Sequence, residues 1–437
     1  MNAAAHRAVI AGTGVAGAVA ACDLRARGFE VWMLEVPRRR PVRSLEAIPA
    51  AAVAALHELG LAPCLARASP VTTIGFDNAW DGAATARIVE GTWVCVERDA
   101  LARSLRDEAI ARGAHLVPVH RLPPVQRCPQ AGGFRWGAPG LPAASAVAID
   151  ATGRAAAWSR PTVHTATRVA MVFRGPGSPC PRRGRIVRGH ASWAYALFHP
   201  HHTTVGIVAP PVGAARPGEI PHDLAQELAL SSPGAFRLER RCAAHAQWAT
   251  APAWIGADHA QLAIGDAALA YDPMAGHGVR FAIASASAAA ACVETLREAG
   301  DARPEARSAA ALYYDDFVAS ARRRHVAQLD ARARGVPATP DPAVPPDLVL
   351  QFSAELVATG LRHGDRIVAD TGIRLATGEL ARWLGPLDLL ALRTLASSPR
   401  PARELCAALR TSGLAPAHAE AVLRWCLGRG VLTATRG

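Results

Sequence analysis

The sequence predicts an α/β fold: a three-layer ββα domain around a parallel sheet, an antiparallel sheet inserted into it, and a small helical, winged-helix-like module at the C-terminus. Three observations carry this. The chain opens with an apolar strand, a glycine-spaced turn, a helix and a second apolar strand. Further short apolar strands, Ala146–Asp150 and Ala260–Asp266, return later and end in small-residue turns. Between them, residues 163–211 switch to alternating runs joined by turns, the pattern of antiparallel strands.

The opening unit is the most informative. Val9, Ile10 and Ala11 form the strand, and Gly12, Gly14 and Gly17 follow, with Val15 and Ala16 opening the helix. Gly12 allows the tight turn. Gly14 has no side chain to block a pyrophosphate, and Gly17 lets the helix pack close to the strand. The helix N-terminus then presents free N–H groups and the positive end of its dipole to the phosphates. A second strand ends at Glu35, where a ribose hydroxyl would be met. The pattern is Rossmann-like and fits FAD or NAD.

The remaining elements follow in order. Pro37–Arg43 is a proline- and arginine-rich loop, and Ser44–Gly60 reads as helical. Residues 71–97 alternate in β-like runs, Ala100–Arg112 is a helix, and Gly113–Pro118 returns to the sheet. Val169–Phe173, Ala191–His199 and Thr203–Ala209 are the antiparallel strands. Helices are expected near 278–300 and 305–335, then a proline-rich break over 336–347. Leu387–Ala396, Ala402–Leu409 and Ala417–Leu427 are helical, and a strand follows at 430–434. The domains are therefore 1–160 with 255–335, the insert 161–254, a linker 336–350 and the C-terminal module 351–437.

Composition narrows the partners. The 437 residues carry a formal net charge of +12, yet contain no lysine, so the basic character is arginine. The arginines are dispersed, with short clusters such as Arg38–Arg40 and Arg322–Arg324, which argues against a dedicated nucleic-acid stripe. A mechanism that needs a catalytic amine is excluded. No apolar run is read as a membrane span, the N-terminus lacks a secretion signal, and nine scattered cysteines without a CxxC pair suit a reducing cytoplasm. The C-terminal module suits protein docking better than DNA binding, since it shows no basic recognition helix. His199, His201 and His202 lie in a turn without cysteine or carboxylate neighbours; they read as a solvated hairpin loop, and no metal site is expected.

Two later segments bear on the same chemistry. Asp150-Ala151-Thr152-Gly153-Arg154 closes a strand over the first glycine loop. Gly265-Asp266 closes another, and Asp272-Pro273-Met274-Ala275-Gly276-His277-Gly278-Val279 opens a helix. An acid such as Asp266 can accept a hydrogen bond from a ribityl or ribose hydroxyl. Glycines before a helix let backbone N–H groups approach a flavin carbonyl, and the helix dipole favours an anionic reduced flavin.

In this order the segments resemble the FAD-dependent monooxygenase superfamily, with its aromatic hydroxylases, tryptophan halogenases and geranylgeranyl reductases, over residues 7–335. Gly12, Gly14, Gly17 and Glu35 match its ADP-binding loop, and Arg98 matches its arginine before an Asp-x-Leu helix, which contacts FAD. Asp150, Gly153, Gly265 and Asp266 match its later FAD motifs, and Pro273, Gly276, Gly278 and Val279 lie in its flavin-edge segment. Arg43 begins a degenerate form of its Gly-Glu-Ser-Leu-Pro segment. The resemblance implies FAD as cofactor, NAD(P)H as transient reductant and O2 as co-substrate. His277 lies at the flavin edge or simply starts a helix; Trp193 and Tyr195 are core aromatics or a wall of the substrate cavity.

Halogenases of this superfamily direct hypohalous acid with a lysine, which this chain lacks, and no intact Trp-x-Trp-x-Ile-Pro segment is present. The missing lysine and the C-terminal module resemble the flavin monooxygenases of quinohemoprotein amine dehydrogenase tryptophylquinone biogenesis. That implies hydroxylation of a tryptophan side chain in a partner polypeptide. Alternatives are a small-molecule aromatic hydroxylase, a geranylgeranyl-reductase-like flavin reductase, and a flavin-binding DNA regulator.

Overall fold

A computed structural model describes residues 6–37, 44–79, 87–128, 133–163, 168–178, 183–188, 192–210, 219–249, 251–255, 259–271, 277–299, 303–333, 343–384 and 387–435. Two compact units result, Met1–Ala302 and Arg303–Gly437.

The first unit is organised by a six-stranded sheet in the order Ala253–Ile255, Ala260–Ala263, Val147–Asp150, Arg7–Ala11, Glu30–Glu35, His115–Pro118. All neighbours are parallel except the Ala253–Ile255 edge. Val9 and Ile10 are fully buried, as expected for a strand covered on both faces. Helices Val15–Ala26, Arg98–Ala111 and His277–Ala299 form one layer. The small sheet Gln126–Cys128, Gly133–Arg135, Ala144–Ser145 supplies another layer, with Phe134 and Trp136 packed on Val9, Leu34 and Ala148. Buried Trp136 satisfies its indole N–H on Ser145 Oγ at 2.8 Å. Register aligns the strand ends: Ala11 stands beside both Asp150 and Leu34, and Asp150 beside Ala263. Four sequence-distant turns therefore open at one edge.

An eight-stranded sheet runs Arg237–Ala244, Arg168–Pro176, His202–Ala209, Trp193–Phe198, Gly184–Arg188, Val71–Ala79, Arg87–Glu97, Leu45–Pro49. One face buries Met171, Phe173, Phe198, Val205 and Ile207 against Leu224 and Leu228. The sheet draws strands from both 45–97 and 168–244, whereas the sequence placed 1–160 wholly in the first domain and confined the insert to 161–254. Residues 44–60 also differ from expectation: Leu45–Pro49 is a strand, and the helix is Ala50–Glu58. Leu45, Ala47 and Ile48 are buried, their backbone pairs with Trp93–Glu97, and Leu45 N–H donates to Thr204 Oγ1 at 3.0 Å. Tertiary pairing overrides the alanine-rich local preference. Pro49 stands at the helix N-cap.

The helix His277–Ala299 is long and apolar enough to cross a membrane by length and composition, contrary to the sequence reading; 78% of its apolar window is buried in the fold. Its alanines and serines let it pack tightly as a core helix, with Ser285, Ala286, Ala289 and Cys292 at or near zero exposure.

In the second unit, helix Pro304–Ala333 packs on the hairpin Glu355–His363/Arg366–Arg374. A Cβ at Gly360 would collide with the Ala309 carbonyl, so only glycine permits that approach. The rest is a three-stranded sheet, Arg400–Pro401, Val349–Phe352, Leu432–Ala434, with helices Leu389–Leu395, Ala402–Thr411 and Pro416–Gly428. Leu350, Leu392, Leu405, Leu409, Leu423 and Val431 form its core. The sequence assigned 305–335 to the first domain and read no hairpin in 351–386. Here that helix groups with the C-terminal unit.

His199 and His202 are only 5% and 2% exposed, not a solvated loop. Strand pairing explains this: His202 opposes Pro176 in the eight-stranded sheet. Among the described residues His202 Nε2 has no hydrogen-bond partner, and it lies 3.7 Å from Glu97 Oε1. Burial, aided by Arg174 and opposed by Glu97, lowers its pKa from 6.5 to about 4. The unfolded chain therefore takes up this proton first. Stability should be full above pH 6.5 and fall as pH drops towards about 4, by on the order of 3 kcal/mol for this group. His202→Leu should flatten that part of the pH profile in urea unfolding; an unchanged slope would count against the buried neutral imidazole.

Candidate active site

The glycine loop follows the strand end at Ala11. Gly12 has φ +105°, and its N–H donates to Leu34 O at 2.9 Å. A Cβ at Gly12 would strike the Ala151 carbonyl, and one at Gly17 would strike Gly12 O. Nothing lies within 4 Å of a Cβ at Gly14. Gly12 and Gly17 thus serve close packing, while Gly14 leaves its surroundings open to a ligand. Val15 and Ala16, each 8% exposed, start a helix with no side-chain cap and no acid in its first turn. Its leading N–H groups remain available for an anion. These features fit the ADP portion of a dinucleotide.

Glu35 takes its expected place at the strand end. Its Oε1 accepts from Thr13 Oγ1 and from Arg106 Nη1, both at 2.9 Å. Sequence reasoning missed Thr13 and Arg106. The signal for Thr13 was the hydroxyl inside the glycine loop; for Arg106 it was the helix beginning at Arg98, two turns earlier.

Asp150 is fully buried. Its Oδ1 accepts from Thr152 N and Oγ1, and its Oδ2 from Trp158 N and Ser159 Oγ, at 2.6–3.0 Å. Asp150 was expected to contact the cofactor; its carboxylate shapes the turn that follows the strand. Gly153, at φ +66°, tops that turn with nothing within 4 Å of its Cβ position. Gly265, at φ +57°, packs its Cα against Ala16 and donates to Ser285 Oγ at 2.9 Å. Asp266 stands 3.9 Å from Arg154 Nε, and Gly278 lies next to Asp266 Oδ1. Val279 is buried behind them. His277 is the first helical residue, stacked on Tyr271 with ring centres 5.8 Å apart. Arg43, Pro273 and Gly276 lie outside the described residues.

A charged cluster joins the two sheets. Arg98 Nη1 donates to Glu46 Oε1 at 3.1 Å. Burial pushes the Glu46 carboxyl up, Arg98 opposes it, and Asp266 adds to the rise. Arg98 is itself raised, chiefly by the Glu46 carboxylate. Burial, then the Glu46 carboxylate, drives the Tyr195 phenol up as well. Glu46, Arg98, Asp266 and Tyr195 thus converge from four separate elements. Glu46 was passed over because the helical reading of 44–60 hid its strand.

Trp193 and Tyr195 share a sheet face, with ring centres 6.0 Å apart at 32°. Trp193 is 3% exposed and belongs to the core with Ala170 and Val208. Tyr195 is half-buried beside Arg98 and Glu46. Its ring lies over Gly206 on the neighbouring strand, where an added Cβ would overlap the ring and approach Oη to 2.6 Å. Among the described residues, no three His, Cys, Asp or Glu side chains are grouped to hold a metal ion.

No protein-family model matches the chain, and no curated protein matches it. Solved structures do. The peptidyl tryptophan dihydroxylase QhpG, essential for tryptophylquinone cofactor biogenesis, is similar at 20% identity and TM-score 0.64, over 97% of this chain and 99% of that one. The flavin-dependent halogenase CmlS is similar at 17% identity and TM-score 0.70, over 99% and 96%. PqsL of Pseudomonas aeruginosa, a probable FAD-dependent monooxygenase, is similar at 18% identity and TM-score 0.56, over 75% and 94%. The chain has the fold of these flavoenzymes, as its α/β motifs lead one to expect.

Gly206→Ala should cost roughly 1–3 kcal/mol in thermal unfolding, because the Tyr195 ring must leave its rotamer. In a Tyr195→Ala background the same change should cost little, a coupling read from the four-variant cycle. Equal cost in both backgrounds would remove Tyr195 as the reason for the glycine.

Proposed function

We propose that this chain is an FAD-dependent monooxygenase that hydroxylates an electron-rich aromatic ring, a tryptophan side chain of a partner polypeptide. The observation that carries the reading is the alignment of the glycine loop, Glu35, Gly153 and Gly265-Asp266 at one sheet edge, in a fold shared with QhpG over nearly the full length of both chains.

Bound FAD supplies the redox chemistry: with NAD(P)H and O2 it delivers one oxygen atom to the ring and releases the other as water. The chain's own residues bind, orient and exclude water. The helix N-terminus behind Gly14 would hold the pyrophosphate, and Glu35, fixed by Thr13 and Arg106, would hold the adenosine ribose. Arg98 and Asp266 would hold the ribityl end, and Gly278 and Val279, in the first turn of their helix, would present backbone N–H groups to the flavin ring. Tyr195 forms part of the wall against which an indole stacks. An indole is nucleophilic enough to need no strong base. Several neighbours are flavin-dependent halogenases, but a chain of 437 residues without one lysine lacks the group that directs hypohalous acid.

Besides its long helix and hairpin, the C-terminal unit has a core of its own with three helices on a small sheet, which supports a winged-helix-like docking module for part of the polypeptide. Nine scattered cysteines without a CxxC pair support work in a reducing cytoplasm.

Intact mass of a co-expressed tryptophan-bearing polypeptide tests the activity. A gain of one or two oxygen atoms on tryptophan, lost in Gly14→Val, is expected. Flavin binding and NAD(P)H consumption with no mass change would move the substrate to a small aromatic molecule. Arg106→Gln should weaken FAD about three- to tenfold by releasing Glu35, and leave FMN, which has no adenosine, unaffected. Equal loss for both flavins would displace Glu35 from the ribose.

A further inference from the structure

Arg154 follows Gly153 in the turn that leaves the parallel sheet. Its partly buried guanidinium is tied to two backbone carbonyls. Nη1 donates to the His245 carbonyl and Nη2 to the Tyr271 carbonyl, each at 2.6 Å. These carbonyls belong to adjacent antiparallel segments, since Gln247 pairs with Ala270 and Trp248 with Leu269. The clamp is closed from below: buried Gln247 donates Nε2 to the Arg154 carbonyl at 2.8 Å and engages His245 Nε2 through Oε1 at 2.8 Å. Asp266, 3.9 Å from Nε, balances the charge. A planar fork that meets two carbonyls on different segments is a task for arginine; a lysine ammonium carries the charge without the fork.

Tyr271 is more than an acceptor. Its ring stacks on His277 at 21° and meets the edge of Phe281 with centres 5.7 Å apart. His277 and Phe281 are the first and fifth residues of the helix His277–Ala299. One guanidinium therefore fixes the point where the chain reaches Tyr271, and through that ring the start of the helix His277–Ala299. The glycine loop and Glu35 make none of these contacts.

Building on the FAD reading above, we infer that Arg154 is a positioning residue for the isoalloxazine end of the site, acting through the Tyr271 carbonyl and the Tyr271–His277 stack. It tunes how the flavin ring is held and leaves the ADP end untouched.

The test uses the full chain titrated with FAD and, separately, with ADP. In Arg154→Lys and Arg154→Gln, ADP affinity should stay within about twofold while FAD weakens about tenfold or more. The visible band of the bound flavin should shift towards that of free FAD. Tyr271→Ala, which keeps the clamp and deletes the ring, should give the same FAD-selective loss and guards against misfolding of the arginine variants. Unchanged FAD affinity and spectrum in the Arg154 variants overturn the positioning role, as does an equal loss of ADP and FAD. A wild-type chain that binds ADP but not FAD overturns the flavin reading itself.

Discussion

The site depends on one close backbone approach. The Gly12 carbonyl sits against Gly17, and the Ala151 carbonyl sits against Gly12, at distances that leave no room for a Cβ. This contact sets the first helix onto the sheet and the second turn onto the first loop. Gly265, pressed on Ala16, adds the third turn. With parallel register holding Ala11, Asp150 and Ala263 level, small shifts at Gly12 would be felt at every other motif. A ligand held here is held by backbone geometry before any side chain contributes.

The polar groups then divide into those that shape and those that face outwards. Asp150 exhausts its carboxylate on its own turn. Glu35 receives two donors on a single oxygen. Arg98, Glu46 and Asp266 balance one another at the join between the sheets, where an unpaired charge would be costly. The long guanidinium side chains suit this role, because their stems pack while their heads reach two partners at once.

Much of this was legible in the sequence because the motifs are local. Glycine spacing, a terminal acid and a strand-end Gly-Asp are each contained in a short window, and the structure puts Gly12, Glu35 and Asp266 at or just past strand ends and Gly17 in the first turn of the helix. What escaped was non-local. Glu46 was hidden because residues 45–49 have the composition of a helix and become a strand only when Trp93–Glu97 pairs with them. The strands Gly184–Arg188 and Arg237–Ala244 and the Glu355–Arg374 hairpin carry too many charged residues for their alternation to stand out. Arg154 was visible as a residue, but its two carbonyl partners lie 91 and 117 positions away.

The eight-stranded sheet also dictates an order of events when the chain is made. Leu45–Pro49, Val71–Ala79 and Arg87–Glu97 leave the ribosome long before Gly184–Arg188 and His202–Ala209, on which their sheet is completed. Leu45 waits 159 positions for the Thr204 hydroxyl. Until then the nascent chain carries an open strand edge, a template for wrong pairing between neighbouring chains. Closure of so many long loops makes slow, late consolidation the expected course, and places chaperone demand on the first half of the protein rather than the last.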